Sequence, residues 1–110
     1  MANPADYFAD VKEYASSYDE AAITGIVRYL GIALTKKDSS LVSSSDPKEV
    51  ARLRANFLVK KLALPDDDKL DEAITEVLGK MKGDRTKQRV TVYYMLADHF
   101  DKLDMFIKKT

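Results

Sequence analysis

Three groups of residues in this chain are equipped for chemistry. The stretch MKGDRTKQR, residues 81 to 89, gathers Lys82, Arg85, Lys87 and Arg89 around one glycine and a single acid, Asp84. Cations at that density can hold a phosphate or a carboxylate. The only histidine, His99, is flanked by Asp98 and Asp101, and a histidine beside carboxylates can serve as a general base or a metal ligand. Three adjacent aspartates, Asp66 to Asp68, follow Pro65 and offer oxygen ligands of the kind calcium takes.

Spacing weakens the last two. On a helix, neighbours at i−1 and i+2 point away from the histidine, so Asp98 and Asp101 cannot orient its ring. The residue four before it is Met95, which removes a paired metal ligand on the same face. A calcium loop counted from Asp66 has Leu70 at its fifth position and Asp71 at its sixth, where an oxygen ligand and a glycine are needed. The aspartates are better read as helix caps. Gly79 and Gly83 are too close for a phosphate-binding loop, and G-x-S-x-G is absent. With no cysteine, disulfides, cysteine-held zinc and thiol catalysis are excluded. Acids such as Asp71, Glu72 and Glu76 lie on the exposed face of a helix, where carboxylates are normally solvated. The expectation is a non-enzymatic protein with no catalytic residue, no metal site and no cofactor.

The basic corner survives this filter. Lys80 and Lys82 fall in the last turn of a helix, where cations are favourable. Arg85 and Lys87 would fall in the first turn of the next helix if Asp84 caps it, a misplacement of about 0.3–1 kcal/mol each. Arg85 and Arg89, four apart, would lie within about 40° of each other on that helix, with Lys87 some 160° away. Something negative should answer them. The internal answer is an acid on the preceding helix, Glu76 being the candidate for Arg89; the external answer is a bound anion. The internal pair is preferred, since charge-rich helical domains usually pair their own residues.

The elements that must position these groups are helices throughout. The sequence predicts a first helix from Pro4, capped by Asn3, with Tyr7, Val11, Tyr14 and Tyr18 on one face. A second opens at the capping box Ser17 to Glu20 and buries Ile23, Ile26, Val27, Leu30 and Leu34. Gly25 interrupts that helix at roughly 1 kcal/mol relative to alanine, which suggests a close approach by another helix. A serine-rich loop spans residues 38 to 46, with Leu41 and Val42 able to pin it. The third helix starts at Asp46 and Pro47 and follows Val50, Leu53, Phe57, Leu58 and Leu62. The fourth holds Leu70, Ala73, Ile74, Val77, Leu78 and Met81 in strict amphipathic register, with Gly83 closing it. The fifth, from Asp84 to Phe100, is apolar on so broad an arc that several helices must contact it; a strand would also fit its alternation, but the segment is too long. Leu103, Phe106 and Ile107 suggest a short last turn over the core.

Length and charge agree with one small domain, residues 1 to 110. The chain can close a single core. Its 18 bases and 18 acids cancel, which argues against nucleic-acid binding by the whole surface, although residues 79 to 110 carry a net +4. The apolar runs YLGIAL and VYYMLA are six residues long, against about 20 for a membrane span. No signal peptide is visible, so the expected location is the cytoplasm.

GIVRYLGIAL, DSSLVSSSDP and MKGDRTKQRVTVYYMLA together resemble a family of small, all-helical bacterial proteins known as a domain of unknown function. The likeness runs over roughly residues 5 to 107. It implies an all-α, compact orthogonal array of about five helices plus a short C-terminal turn, and brings no activity or site residue with it. The functional expectation is therefore a small protein-interaction or accessory module. The alternative is anion or nucleic-acid binding through Arg85, Arg89, Lys82 and Lys87. A third reading, an enzyme built on His99, would need a carboxylate from another helix.

Overall fold

Capping chemistry sets where most of the helices begin. A computed structural model of the chain describes residues 7–15, 19–31, 42, 46–82 and 87–107. Helix α1 spans Phe8–Tyr14 and buries Val11; its N-cap, Tyr7, makes no side-chain bond. Asn3, Pro4, Ser17 and Tyr18 lie outside the described residues. Helix α2, Glu20–Leu30, is capped by Asp19, whose carboxylate accepts from the N–H groups of Ala21 and Ala22 at 2.9 and 3.2 Å. The expected box from Ser17 would place Glu20 at the third helical position; it occupies the first. The helix stops at Gly31, which takes a left-handed φ of 47°, a conformation open to glycine without a Cβ penalty. Leu34, Lys36, Lys37 and Leu41 lie outside the described residues.

Helix α3, Pro47–Arg52, starts as expected, with Asp46 accepting from Lys48 N–H at 2.9 Å and Pro47 in the first turn. It then widens into a π-helical segment, Leu53–Lys61, closed by a Leu62 N–H to Phe57 C=O bond of 2.9 Å. The spacing of the apolar residues explains the change. On a regular α-helix Leu53, Phe57, Leu58 and Leu62 would fan over about 180°. On an i→i+5 ladder of roughly 4.4 residues per turn they converge within about 80°. All four are buried, none more than 1 % exposed. Burial of the whole set thus favours the wider winding.

Helix α4, Asp68–Lys80, is capped by Asp67, which accepts from Lys69 N–H at 3.0 Å. It buries Leu70, Ala73, Ile74 and Val77, with Met81 just beyond. Gly83 and Asp84 lie outside the described residues. Helix α5, Arg89–His99, buries eight consecutive residues, Val90 to Ala97. It packs against α1, α2 and α4 and against a 3-10 turn, Leu103–Phe106, the central position its broad apolar arc predicts. Among the described residues the architecture is all-α, five helices and the short C-terminal turn, with no strand. Their buried side chains form one cluster, which Val42 joins from the serine-rich connection. The radius of gyration, 12.8 Å, is close to the ~13 Å expected of a compact chain this long.

The helix starts later than the sequence predicts. Its N-cap is Gln88 in extended backbone, not Asp84. The Lys87 carbonyl instead accepts from Val42 N–H at 2.8 Å, which holds residue 87 outside the helix. At its other end α5 closes with a Schellman motif. Lys102 N–H reaches Ala97 C=O at 2.7 Å and Asp101 N–H reaches Asp98 C=O at 3.1 Å, with Asp101 at φ 58°. That reversal lays the 3-10 turn across α2 at Gly25.

A Cβ on Gly25 would stand 1.8 Å from the Phe106 carbonyl oxygen, so this glycine permits backbone-to-backbone contact, as its interruption of the apolar pattern suggests. Gly25→Ala should destabilise the fold by at least about 1–3 kcal/mol, the range for overpacking a core, measured by urea denaturation. An unchanged midpoint would show that the turn does not need the approach.

Candidate functional site

Arg89 occupies the first position of α5, at the positive end of the helix dipole. Its guanidinium is answered inside the protein by the Glu49 carboxylate, reached through Nη2. Nη1 donates to the Tyr93 hydroxyl at 3.2 Å, one turn along the same helix. The two charged side chains are 13 % and 17 % exposed, which reduces solvent screening of their attraction. The partner is Glu49 of α3 and not Glu76, the acid expected from the preceding helix. Glu49 stands in the third residue of its own helix, where the cap pattern would turn it back on Asp46; it bridges to α5 instead. Arg85 lies outside the described residues. Residues 87 and 88 precede α5, so Lys87 is not in its first turn.

The remaining two members of the basic corner go elsewhere. Lys82 and Lys87 line a cleft of about 350 Å³, shared with Val50, Ile74, Leu78 and Gly79. Lys87 is 8 % exposed. The three described members of the basic corner therefore divide: Arg89 braces the join of α3 and α5, and the two lysines border a partly apolar hollow.

His99 stands at the end of α5, its side chain 40 % exposed. Its Nδ1 is 3.6 Å from a Glu76 oxygen, within ion-pair range but beyond a hydrogen bond. Lys80 approaches the same carboxylate at 3.9 Å. Together with Asp98 they border a recess of about 250 Å³. Among the described residues no three His, Asp or Glu side chains are placed together so as to hold a metal ion.

Two features carried little signal in the sequence. Arg54 of the π-helical segment is clasped by the acidic break before α4. It pairs with Asp66 at 2.5 Å and Asp71 at 3.1 Å and donates to the Asp67 carbonyl at 3.2 Å. The aspartates thus cap a helix and also fix an arginine. Only the excess of acids beyond what one cap requires hinted at it. The second is an aromatic cluster: Phe57 stacks on Tyr93 at 4.0 Å, and Tyr29 lies 6.1 Å from Phe57 and 6.0 Å from Phe106. Lys61 Nζ sits 4.9 Å from the Tyr29 ring centre. Tyr29 was the signal available, an aromatic outside the stripe of α2.

A family sequence profile described as "Protein of unknown function (DUF2853)" matches residues 6–104. The chain belongs to this family. No characterised protein matches it in sequence. Nothing in the family's description assigns a role to Arg89 or the lysines.

Two outcomes follow from the Arg89 contacts. Glu49→Gln should lower stability by about 1–3 kcal/mol, the loss expected when a charged partner is removed from a part-buried pair. A double-mutant cycle with Arg89→Met should return a coupling energy of about 0.5–3 kcal/mol. Burial pushes the Tyr93 hydroxyl above its ordinary value of 10.0, partly offset by Arg89. The folded state therefore holds this proton more tightly than the unfolded chain. Tyr93 contributes stability that is intact below pH 10 and lost as pH rises through the folded pKa. Denaturation across that range should show a falling limb that is shallower in Tyr93→Phe.

Proposed function

We propose that the protein is a non-enzymatic interaction or accessory module working in the bacterial cytoplasm, and that its contact surface is the corner formed by Tyr29, Met105 and Lys61. The supporting observation is the exposure of Tyr29 and Met105, at 42 % and 45 %, the large apolar side chains left exposed among the described residues. They belong to one corner, because Met105 precedes Phe106 and the Tyr29 ring packs edge-on against Phe106. A tyrosine already held by two ring neighbours loses little rotamer freedom on binding, and aromatic anchors of this kind carry much of the energy of protein contacts.

The surrounding charge indicates the partner's chemistry. Lys61 lies over the Tyr29 ring. Arg28 is in the last turn of α2 and Lys60 in the last turn of the π-helical segment. An acidic protein segment carrying an apolar side chain complements this corner. Among the described residues no helix is long and apolar enough to cross a membrane. A cysteine-free chain suits a reducing compartment.

Affinity capture from native lysate, compared across variants, tests the proposal. The wild-type chain should retain an acidic partner that elutes as salt is raised. Tyr29→Ser and Lys61→Glu should lose it while keeping a native helical spectrum, and Lys12→Glu on α1 should keep it. Equal retention by Tyr29→Ser would overturn the assignment of this corner.

A further inference from the structure

We propose that the corner at Tyr29 and Lys61 recognises the free C-terminus of a partner chain that ends in a large apolar residue, an inference that rests on this corner being the contact surface. Lys61 carries it. The half-buried side chain holds its ammonium 4.9 Å from the Tyr29 ring centre and 5.6 Å from that of Phe106. Among the described residues no carboxylate lies within ion-pair reach of it, whereas Arg54 and Arg89 both have one. Ring faces fix a cation in place without cancelling its charge. An unanswered positive charge therefore stands beside exposed apolar surface.

The distance between the two features selects the ligand. A partner has to bring an anion and an apolar group together at about the separation of the Lys61 ammonium and the Tyr29 ring, 4.9 Å. In an extended segment, neighbouring side chains point to opposite faces, and those two apart are about 6.5 Å from each other. A helix also brings an acid and an apolar group together one turn apart, but it needs a groove to lie in. At a chain terminus the α-carboxylate and the last side chain leave the same Cα, which holds them within about 5 Å.

Size and charge agree with a single terminal residue. The large apolar side chains exposed among the described residues are Tyr29 and Met105, a footprint for one residue and well short of the area a docked protein face covers. Asp104, exposed and next to Met105 in the chain, disfavours a run of acids more than one carboxylate directed at Lys61. Phe57 and Phe106 hold the Tyr29 ring from two sides, so the anchor is set before binding.

Amide NMR on the full chain, titrated with acetylated peptides, tests the inference. A Gly-Ser-Gly-Phe peptide with a free carboxylate should shift the Tyr29, Lys61 and Met105 amides saturably at millimolar concentration. Its C-terminal amide, the free acid ending in alanine, and an amidated peptide with glutamate before the phenylalanine should each bind at least about tenfold more weakly. Lys61→Met, which keeps the apolar stem, should reduce the free acid to the level of the amide and leave the amide unchanged; Lys61→Arg should keep the preference for the acid. The inference fails if no peptide gives a saturable shift, if the amide or the internal glutamate matches the free acid, or if Lys61→Met does not lose the preference. Any of these results alongside lysate capture that still depends on Tyr29 sinks the terminus alone, whereas capture indifferent to Tyr29→Ser sinks the contact surface itself.

Discussion

The complete enclosure of α5 is the constraint on which the rest of the structure depends. Eight consecutive residues without an exposed side leave this helix no stripe to present to water, so neighbours have to be found around its circumference. Helices α1, α2 and α4 and the 3-10 turn supply them. The one strongly polar member of the run, Thr91, is matched rather than excluded: its hydroxyl donates to the Asp10 carboxylate on α1. A buried hydroxyl left without a partner is expensive. That hydrogen bond gives the short α1 a defined place against the core, beyond what Val11 alone provides.

Enclosure also explains the ends of α5. Its first residue is a cation in the unfavourable half of the dipole, and the bridge to Glu49 turns this local conflict into a join between α3 and α5. At the other end, Asp101 takes a left-handed conformation and sends the chain back over α2. The 3-10 turn can then close over the core because Gly25 has no side chain to hold it off. The π-helical winding after α3 belongs to the same solution. It brings four apolar residues onto one face, and Phe57 among them stacks on Tyr93 of α5.

Charges in this protein are largely local reinforcements of the packing. Arg54 ties the π-helical segment to the acidic start of α4, and Arg89 ties α3 to α5. The arginines described in these roles use their planar forks between helices, whereas Lys82 and Lys87 border a hollow and Lys61 lies over an aromatic ring. This division is why the proposed contacts rest on Lys61 and exposed apolar surface and not on the arginines.

What the sequence by itself determined was everything governed by near neighbours and by periodicity. The all-α class, the stripe of α4, the cap at Asp46, a cap among Asp66 to Asp68, and the central place of the Val90–Ala97 run were legible because each depends on residues within a few turns. Helix starts were less legible: Asp19 displaced Ser17 as a cap, and the start of α5 moved to Arg89 because Lys87 pairs with Val42, a contact between segments far apart in the chain. The charge partners were decided only by tertiary structure. Sequence proximity pointed to Glu76, whereas the acid that meets Arg89 is Glu49, because the choice depends on how α3 and α4 pack around α5. The cleft at Lys82 and Lys87 has the same origin, since a hollow exists only where separate elements fail to touch.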